Sequence, residues 1–140
     1  MITQTACTIF KTNLLKGDED FNTGTAYTYK IALYDANADL GASTTAYSAT
    51  NEVSGTGYTA GGNTLTPVAP TSSGTTAYVS FANTSWSSAS FTTRGALIYN
   101  STTGAAVCVL NFGSDKTCSS QTFTVTFPTA DANSAVLRIS

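Results

Sequence analysis

"TAYTYKIALYDA", Thr25 to Ala36, decides how the rest of the chain is read. Its side chains alternate with a period of two. Tyr27, Tyr29, Ile31 and Leu33 fall on one face, and Thr28, Lys30, Ala32 and Tyr34 on the other. That is the period of a strand, and the β-branched and aromatic content agrees with it. "DANADLG", Asp35 to Gly41, then reads as a turn, because Asp, Asn and Gly tolerate turn geometries.

The same period recurs downstream. Thr76 to Asn83 alternates, and so does Thr122 to Phe127, with Phe123, Val125 and Phe127 on its apolar face. Short strands are expected at Thr44 to Ser48 and at Asn63 to Val68, the second near an edge because of Pro67. Phe91 to Tyr99 reads as a longer strand with Gly95 as a bulge. It pairs through the Asn100 to Gly104 turn with Ala105 to Phe112 as a hairpin. Gly113 to Ser119 reads as a loop, and Ala135 to Ile139 as the last strand. About eight strands joined by Gly, Ser and Asn turns define an all-β class, and the expected architecture is a jelly-roll-like β-sandwich. The Cys…Trp…Cys order of an immunoglobulin core is missing, because Trp86 precedes both Cys108 and Cys118.

One helix precedes the strands. Cys7, Phe10 and Leu14 recur at helical spacing, Ile9 and Leu15 widen the stripe, Thr5 is the expected N-cap, and Lys16-Gly17 is a stop signal. A helix of about three turns needs a surface for that stripe, either its own sheet or a neighbouring subunit.

Composition limits function. The chain has 140 residues, the size of one domain. Area scaling gives roughly 7,000 Å² of folded surface against roughly 21,000 Å² unfolded, enough burial for a core without metals or disulfides. Only 10% of residues are charged and the net charge is -2, while 41% are hydrophobic. Disorder needs the opposite balance. The polar surface is therefore mostly Ser and Thr. The cations Lys11, Lys16, Lys30, Arg94, Lys116 and Arg138 are scattered singly, so no basic run tracks a phosphate backbone and nucleic acid is not an expected partner. Asp18-Glu19-Asp20 reads as a solvated turn, too sparse for a calcium loop. The start of the chain lacks the pattern of a signal peptide, and no apolar run reaches the length of a membrane span. Synthesis in the cytoplasm with reduced thiols is expected. Cys7, Cys108 and Cys118 have no metal-site spacing. Cys108 reads as a buried small hydrophobe, with a Cys108–Cys118 bridge as the alternative.

Chemistry finds little footing. The chain has no His, so His-based nucleophilic triads are excluded. The eight carboxylates sit mostly in expected turns, and a two-carboxylate glycosidase is kept only as a competing reading. "TNEVSGTGYTAGG", Thr50 to Gly62, looks at first like a phosphate cradle. It lacks the P-loop lysine, and its Gly55, Gly57 and Gly61 miss the dinucleotide spacing. It reads instead as a glycine-rich connection at a sheet edge, presenting Glu52 and Tyr58. No cofactor is expected.

The strings from Tyr29 to Thr66, from Ser85 to Ser101 ("SWSSASFTTRGALIYNS") and from Val109 to Ile139 resemble small virion structural proteins of tailed bacteriophages, the capsid-decorating or cement proteins. Asn51 to Gly62 and "RGALIYN", Arg94 to Asn100, are the most specific pieces, and the resemblance spans about Phe10 to Ile139. It implies a jelly-roll-like sandwich on the outside of an HK97-like shell, bridging neighbouring capsomers. It also implies the major capsid protein as partner, a small homo-oligomer (dimer before trimer) and no catalytic residues. The expected contacts are Phe10, Leu14, Leu15, Glu52, Tyr58 and an exposed Trp86. The competing binding-module reading is a tail or fibre domain that takes a host glycan on Tyr58 and Trp86 in a cleft.

Overall fold

The computed structural model describes residues 1–24 and 26–140. The elements in chain order are β1 (Thr5–Ala6), α1 (Thr8–Lys16), β2 (Tyr29–Tyr34), β3 (Asn63–Thr64), β4 (Pro67–Ser73), β5 (Thr76–Phe81), β6 (Thr84–Asn100), β7 (Ala106–Val125) and β8 (Leu137–Ile139). They form two antiparallel sheets, β1-β7-β6-β2-β3 and β4-β5-β8. The expected all-β sandwich with one short helix is what the chain adopts. Its core is one contiguous cluster drawing Ile31, Leu33, Leu97 and Val109 from the first sheet and Val79 and Phe81 from the second. The accessible surface is 7012 Å², the value expected of a compact chain of this mass.

The largest departure from the sequence reading is in β6 and β7. Gly113 to Ser119 reads as a loop by composition and Ser-rich "NTSWSSAS", Asn83 to Ser90, carries no strand assignment, yet both lie in the paired ribbon of β6 and β7. Trp86 faces Phe123, Phe91 faces Cys118, and Thr93 faces Lys116. The hydroxyl residues turn outward while Trp86, Ala89, Phe91 and Cys118 turn inward. Alternation was present but was masked by residue types usual in loops. Three expected strands, that loop and the Ser-rich segment thus become a 17-residue β6 and a 20-residue β7. Register shifts break the ribbon, one of them between Thr93 and Gly95, where the sequence places a bulge. Ser88 and Ser120 take positive φ in the outer half. Such irregularities raise local twist and blunt an otherwise long edge.

Other expectations shift by smaller amounts. Thr5 belongs to β1 rather than capping the helix. Helix α1 begins at Thr8 after Cys7, which makes no side-chain cap. Gly17 ends the helix in the left-handed region as expected, its N–H bonding the Leu14 carbonyl. Thr44 to Ser48 contributes only a bridge, Ala46 to Ala105. Asn63 to Val68 is split, because the chain crosses there from the first sheet to the second. Pro67 does lie on an outer strand, β4. Thr25, the first residue of the opening stretch, lies outside the described residues. Cys108 and Cys118 sit ten positions apart on one strand, on the order of 33 Å at strand rise, so no bridge joins them. All three thiols are free and buried.

β2 is buried on both faces, so the polar face implied by strict alternation does not occur at Ala32 and Tyr34. One edge of β2 pairs with β6 along its length, but β3 covers only Lys30 and Ile31 on the other. The glycine-rich connection completes that edge. Asp35 N–H donates to Asn51 O, Val53 N–H to Leu33 O, and Leu65 N–H to Tyr29 O. The Leu33 N–H donates to the Tyr58 hydroxyl at 2.9 Å. A buried strand edge cannot leave its amides unpaired, and here a side chain and an irregular segment stand in for a neighbouring strand.

This close approach explains Gly62. A Cβ there would lie 1.7 Å from the Ile31 carbonyl oxygen, and the residue sits at φ +76. Gly74, at φ +59, has nothing within 4 Å. Gly74→Ala is expected to cost about 1–2 kcal/mol, the left-handed penalty alone. Gly62→Ala adds a backbone collision and is expected to cost clearly more, roughly 3 kcal/mol or above. Urea denaturation of both variants measures the difference.

Candidate functional site

Two places concentrate the residues singled out by the sequence. The first is built around Glu52, in the glycine-rich connection. Its Oε2 accepts the Tyr47 hydroxyl at 2.6 Å. Its Oε1 accepts the Tyr58 hydroxyl at 2.6 Å and the Gly61 N–H at 2.7 Å. Tyr99 donates to the Gly61 carbonyl at 2.7 Å and stacks on Tyr47 with centroids 4.8 Å apart. Tyr34 donates to the Ser48 carbonyl. Tyr34 and Tyr99 are buried and Tyr47 and Tyr58 half-buried, and their hydroxyls reach Ser48, Gly61 and the Glu52 carboxylate, which together hold residues 48–61 in place.

Beyond Tyr58 lies an aromatic cluster. Its ring is 6.0 Å from Trp86 and 5.8 Å from Phe91, and Phe123 packs on both. Thr56 bridges to Ser90, and a Cβ on Gly55 would lie 2.3 Å from the Ser90 carbonyl oxygen. The connection therefore lies directly on β6. Trp86 is 4% exposed, not exposed as the sequence reading held. Its flanking serines suggested a surface, but inward alternation on β6 buries it. Of the aromatic platform required by the glycan reading, Trp86 is packed inside this chain and Tyr58 is half-buried beside it. Glu52 and Tyr58 spend their polar groups within the chain, on each other, on the Tyr47 hydroxyl and on the Gly61 and Leu33 N–H groups.

The second place is the helix. Phe10 is buried against Phe21, 5.9 Å away, and Leu14 is half-buried on the core, so both pack at home. Leu15 is 89% exposed. It rims a groove of about 650 Å³ between α1 and the β5–β8 edge, floored by Phe10, Leu14, Val79 and Leu137. Ile139, 58% exposed, stands on the opposite rim. Of the six expected contact residues, Phe10, Leu14 and Leu15 meet at this groove. Glu52, Tyr58 and Trp86 meet at the other place.

Glu19 was missed by the sequence reading, which set the acidic triplet in a solvated turn. Glu19 is buried beside the groove, while Asp18 is exposed. Its Oε2 accepts the Tyr29 hydroxyl at 2.7 Å and the Asn100 amide at 3.3 Å. Oε1 completes no hydrogen bond. The available signal was its place between Gly17, which reverses the chain, and Phe21, which enters the core. Burial pushes the carboxyl above its ordinary 4.5, against the Tyr29, Asn100 and nearby Asn13 groups that favour the charged form, and the Asp18 charge adds to the rise.

Among the described residues no three His, Cys, Asp or Glu side chains gather to hold a metal, and no helix is long and apolar enough to cross a membrane. No protein-family model, no curated protein and no solved structure matches the chain.

Two outcomes are expected. The folded chain holds the Glu19 proton more tightly than the unfolded chain, so this group favours folding most below about pH 4.5. That contribution is lost as pH rises through the raised folded value. Glu19→Gln is therefore expected to flatten the fall in stability from pH 4.5 to 7, read by denaturation at several pH values. Glu52→Ala removes three bonds to one carboxylate and is expected to cost about 2–4 kcal/mol. Tyr47 and Tyr58 are shifted upward, first by burial and then by Glu52. Stability is accordingly expected to fall above pH 10, where the unfolded tyrosines ionise and the folded ones do not.

Proposed function

We propose that the chain is a non-enzymatic virion structural protein, a cement protein that decorates the outside of an HK97-like phage capsid and ties neighbouring capsomers together. The observation that carries this reading is the open apolar groove beside α1. Leu15 and Ile139 stand exposed on its two sides in a chain whose other large apolar residues are mostly packed away. Exposed apolar patches of this kind mark protein-binding surfaces. The sequence resemblance to cement proteins, spanning about Phe10 to Ile139, supplies the class of partner. The two antiparallel sheets give the β-sandwich class that such proteins imply.

The mechanism is mass action. A protein that binds the assembled shell and not its separated subunits stabilises the shell. Contacts of about 1,600 Å² each, repeated over many copies, resist internal pressure through multivalency. A hydroxyl-rich, weakly charged surface gives such contacts hydrogen bonds without strong salt dependence. The partner is the major capsid protein, with a homo-oligomer, dimer before trimer, as the decorating unit. The location is the outer capsid surface.

Purified virions are expected to contain the chain in stoichiometric ratio to the shell protein, measured by quantitative mass spectrometry. Shells stripped of it are expected to rupture at lower temperature than intact ones. Leu15→Asp leaves stability within about 0.5 kcal/mol because the side chain is exposed, yet is expected to lower shell occupancy in a re-binding assay. Absence of the chain from the shell, or copy numbers in the tens confined to the tail, would sink the reading.

A further inference from the structure

The groove beside α1 adjoins a cleft of about 470 Å³ between β1 and β8, with Ala6, Leu137 and Arg138 lining both. Another part of its wall is Glu19, Asp20 and Phe21. That part has no ladder behind it. Among the described residues, no backbone–backbone bond ties residues 19–24 to either sheet. The segment leaves α1 through Gly17, which sits at φ +81 and where a Cβ would meet nothing within 4 Å. It is anchored at Phe21, stacked on Tyr29 at 4.4 Å and packed edge-on against Phe10 and Phe81. Between hinge and anchor, Glu19 makes the tie to the sheet. Tyr29 donates to its Oε2 and accepts the Asp20 N–H at 3.0 Å. The Asn100 amide donates to the same oxygen, and Asn100 Oδ1 accepts the Thr102 and Thr103 N–H groups of the next turn.

The surroundings of Glu19 favour a neutral carboxyl. From α1 the Asn13 amide approaches it, from β2 the Tyr29 hydroxyl and from β6 the Asn100 amide. Its own segment adds the Asp18 charge, with the Asp20 carboxylate beside Tyr29. Lys11 and Arg138 line the same groove, but no ion pair among the described residues includes Glu19. Ionised, it is a buried charge with no cation and with Oε1 unbonded.

We propose that Glu19 is a proton-operated latch. Protonated, it holds residues 18–20 against β2 and the Asn100 turn. Ionised, it swings out to water about Gly17 while Phe21 stays packed, and the groove wall opens toward Tyr29 and Asn100. The motion is local because it breaks no sheet ladder. The latch holds most firmly below about pH 4.5, where closed and open forms both keep the proton. It weakens as pH rises through the raised value of the closed form. The latch does not depend on the cement reading, and its test involves no shell.

The test is hydrogen–deuterium exchange of the full chain from pH 4.5 to 7, each rate divided by the intrinsic rate at that pH. The reporter is the Asp20 N–H, with the buried Ile31 and Leu97 as core references. The Asp20 opening constant is expected to lie at least about tenfold above those of the core and to rise at least about threefold across the range. Glu19→Gln is expected to hold it constant. Asp18→Asn removes a like charge, so the rise is expected to be smaller and to end at lower pH. An Asp20 opening constant equal to the core's means that the carboxyl acts on whole-chain unfolding alone, and overturns the latch. So does a flat profile in the unaltered chain, or a rise that survives Glu19→Gln. Should Glu19→Gln misfold, Asp18→Asn decides, and a profile identical to that of the unaltered chain overturns the latch.

Discussion

The outer edge of β2 is the constraint around which the rest of the chain is arranged. β2 is the most deeply buried strand, and buried amides must find partners. No long strand is available on that side. The chain meets the need with an irregular segment, Asn51 to Leu65, which bonds to β2 piecewise and borrows the Tyr58 hydroxyl for the Leu33 N–H. An irregular segment has no ladder of its own to hold it, so a carboxylate does so. Glu52 ties together Tyr47, Tyr58 and Gly61. Gly62 follows as a necessity, since only a residue without Cβ passes so close to Ile31.

This division of labour separates scaffold from surface. The Glu52 tyrosines use their hydroxyls internally, and the Trp86 cluster packs its rings within the chain. The helix side does the reverse. Leu15 and Ile139 are left outside. A molecule with so few charges has little repulsion to keep such a surface from binding. Its availability is therefore consistent with a designated partner and with the resemblance to proteins that live on a shell.

Periodicity made much of the fold legible. Tyr29 to Leu33, Thr76 to Phe81 and the hairpin around Asn100 follow directly from alternation and turn residues. Composition misled where serine and glycine are strand residues. The outer halves of β6 and β7 hold each other by pairing across more than twenty positions, and no local window contains that. The site was legible only in part. The helical stripe pointed to Phe10, Leu14 and Leu15 but could not say which of them stays outside. Whether Trp86 faces in or out depends on the register of β6, and Glu19 is buried by a chain reversal whose packing partners, Tyr29 and Asn100, lie 10 and 81 residues away.

The cleft between β1 and β8 is built from residues 4–6 at one end of the sequence and 136–140 at the other. Neither edge strand can be placed until a much later or much earlier part of the chain is in position, since β1 needs Val109 and β8 needs Ala77 to Val79. Loop-closure entropy makes such distant pairings late events in folding. A partially folded chain therefore has no cleft to offer. The order of folding thus sets when this face exists, as a property of the finished sandwich alone.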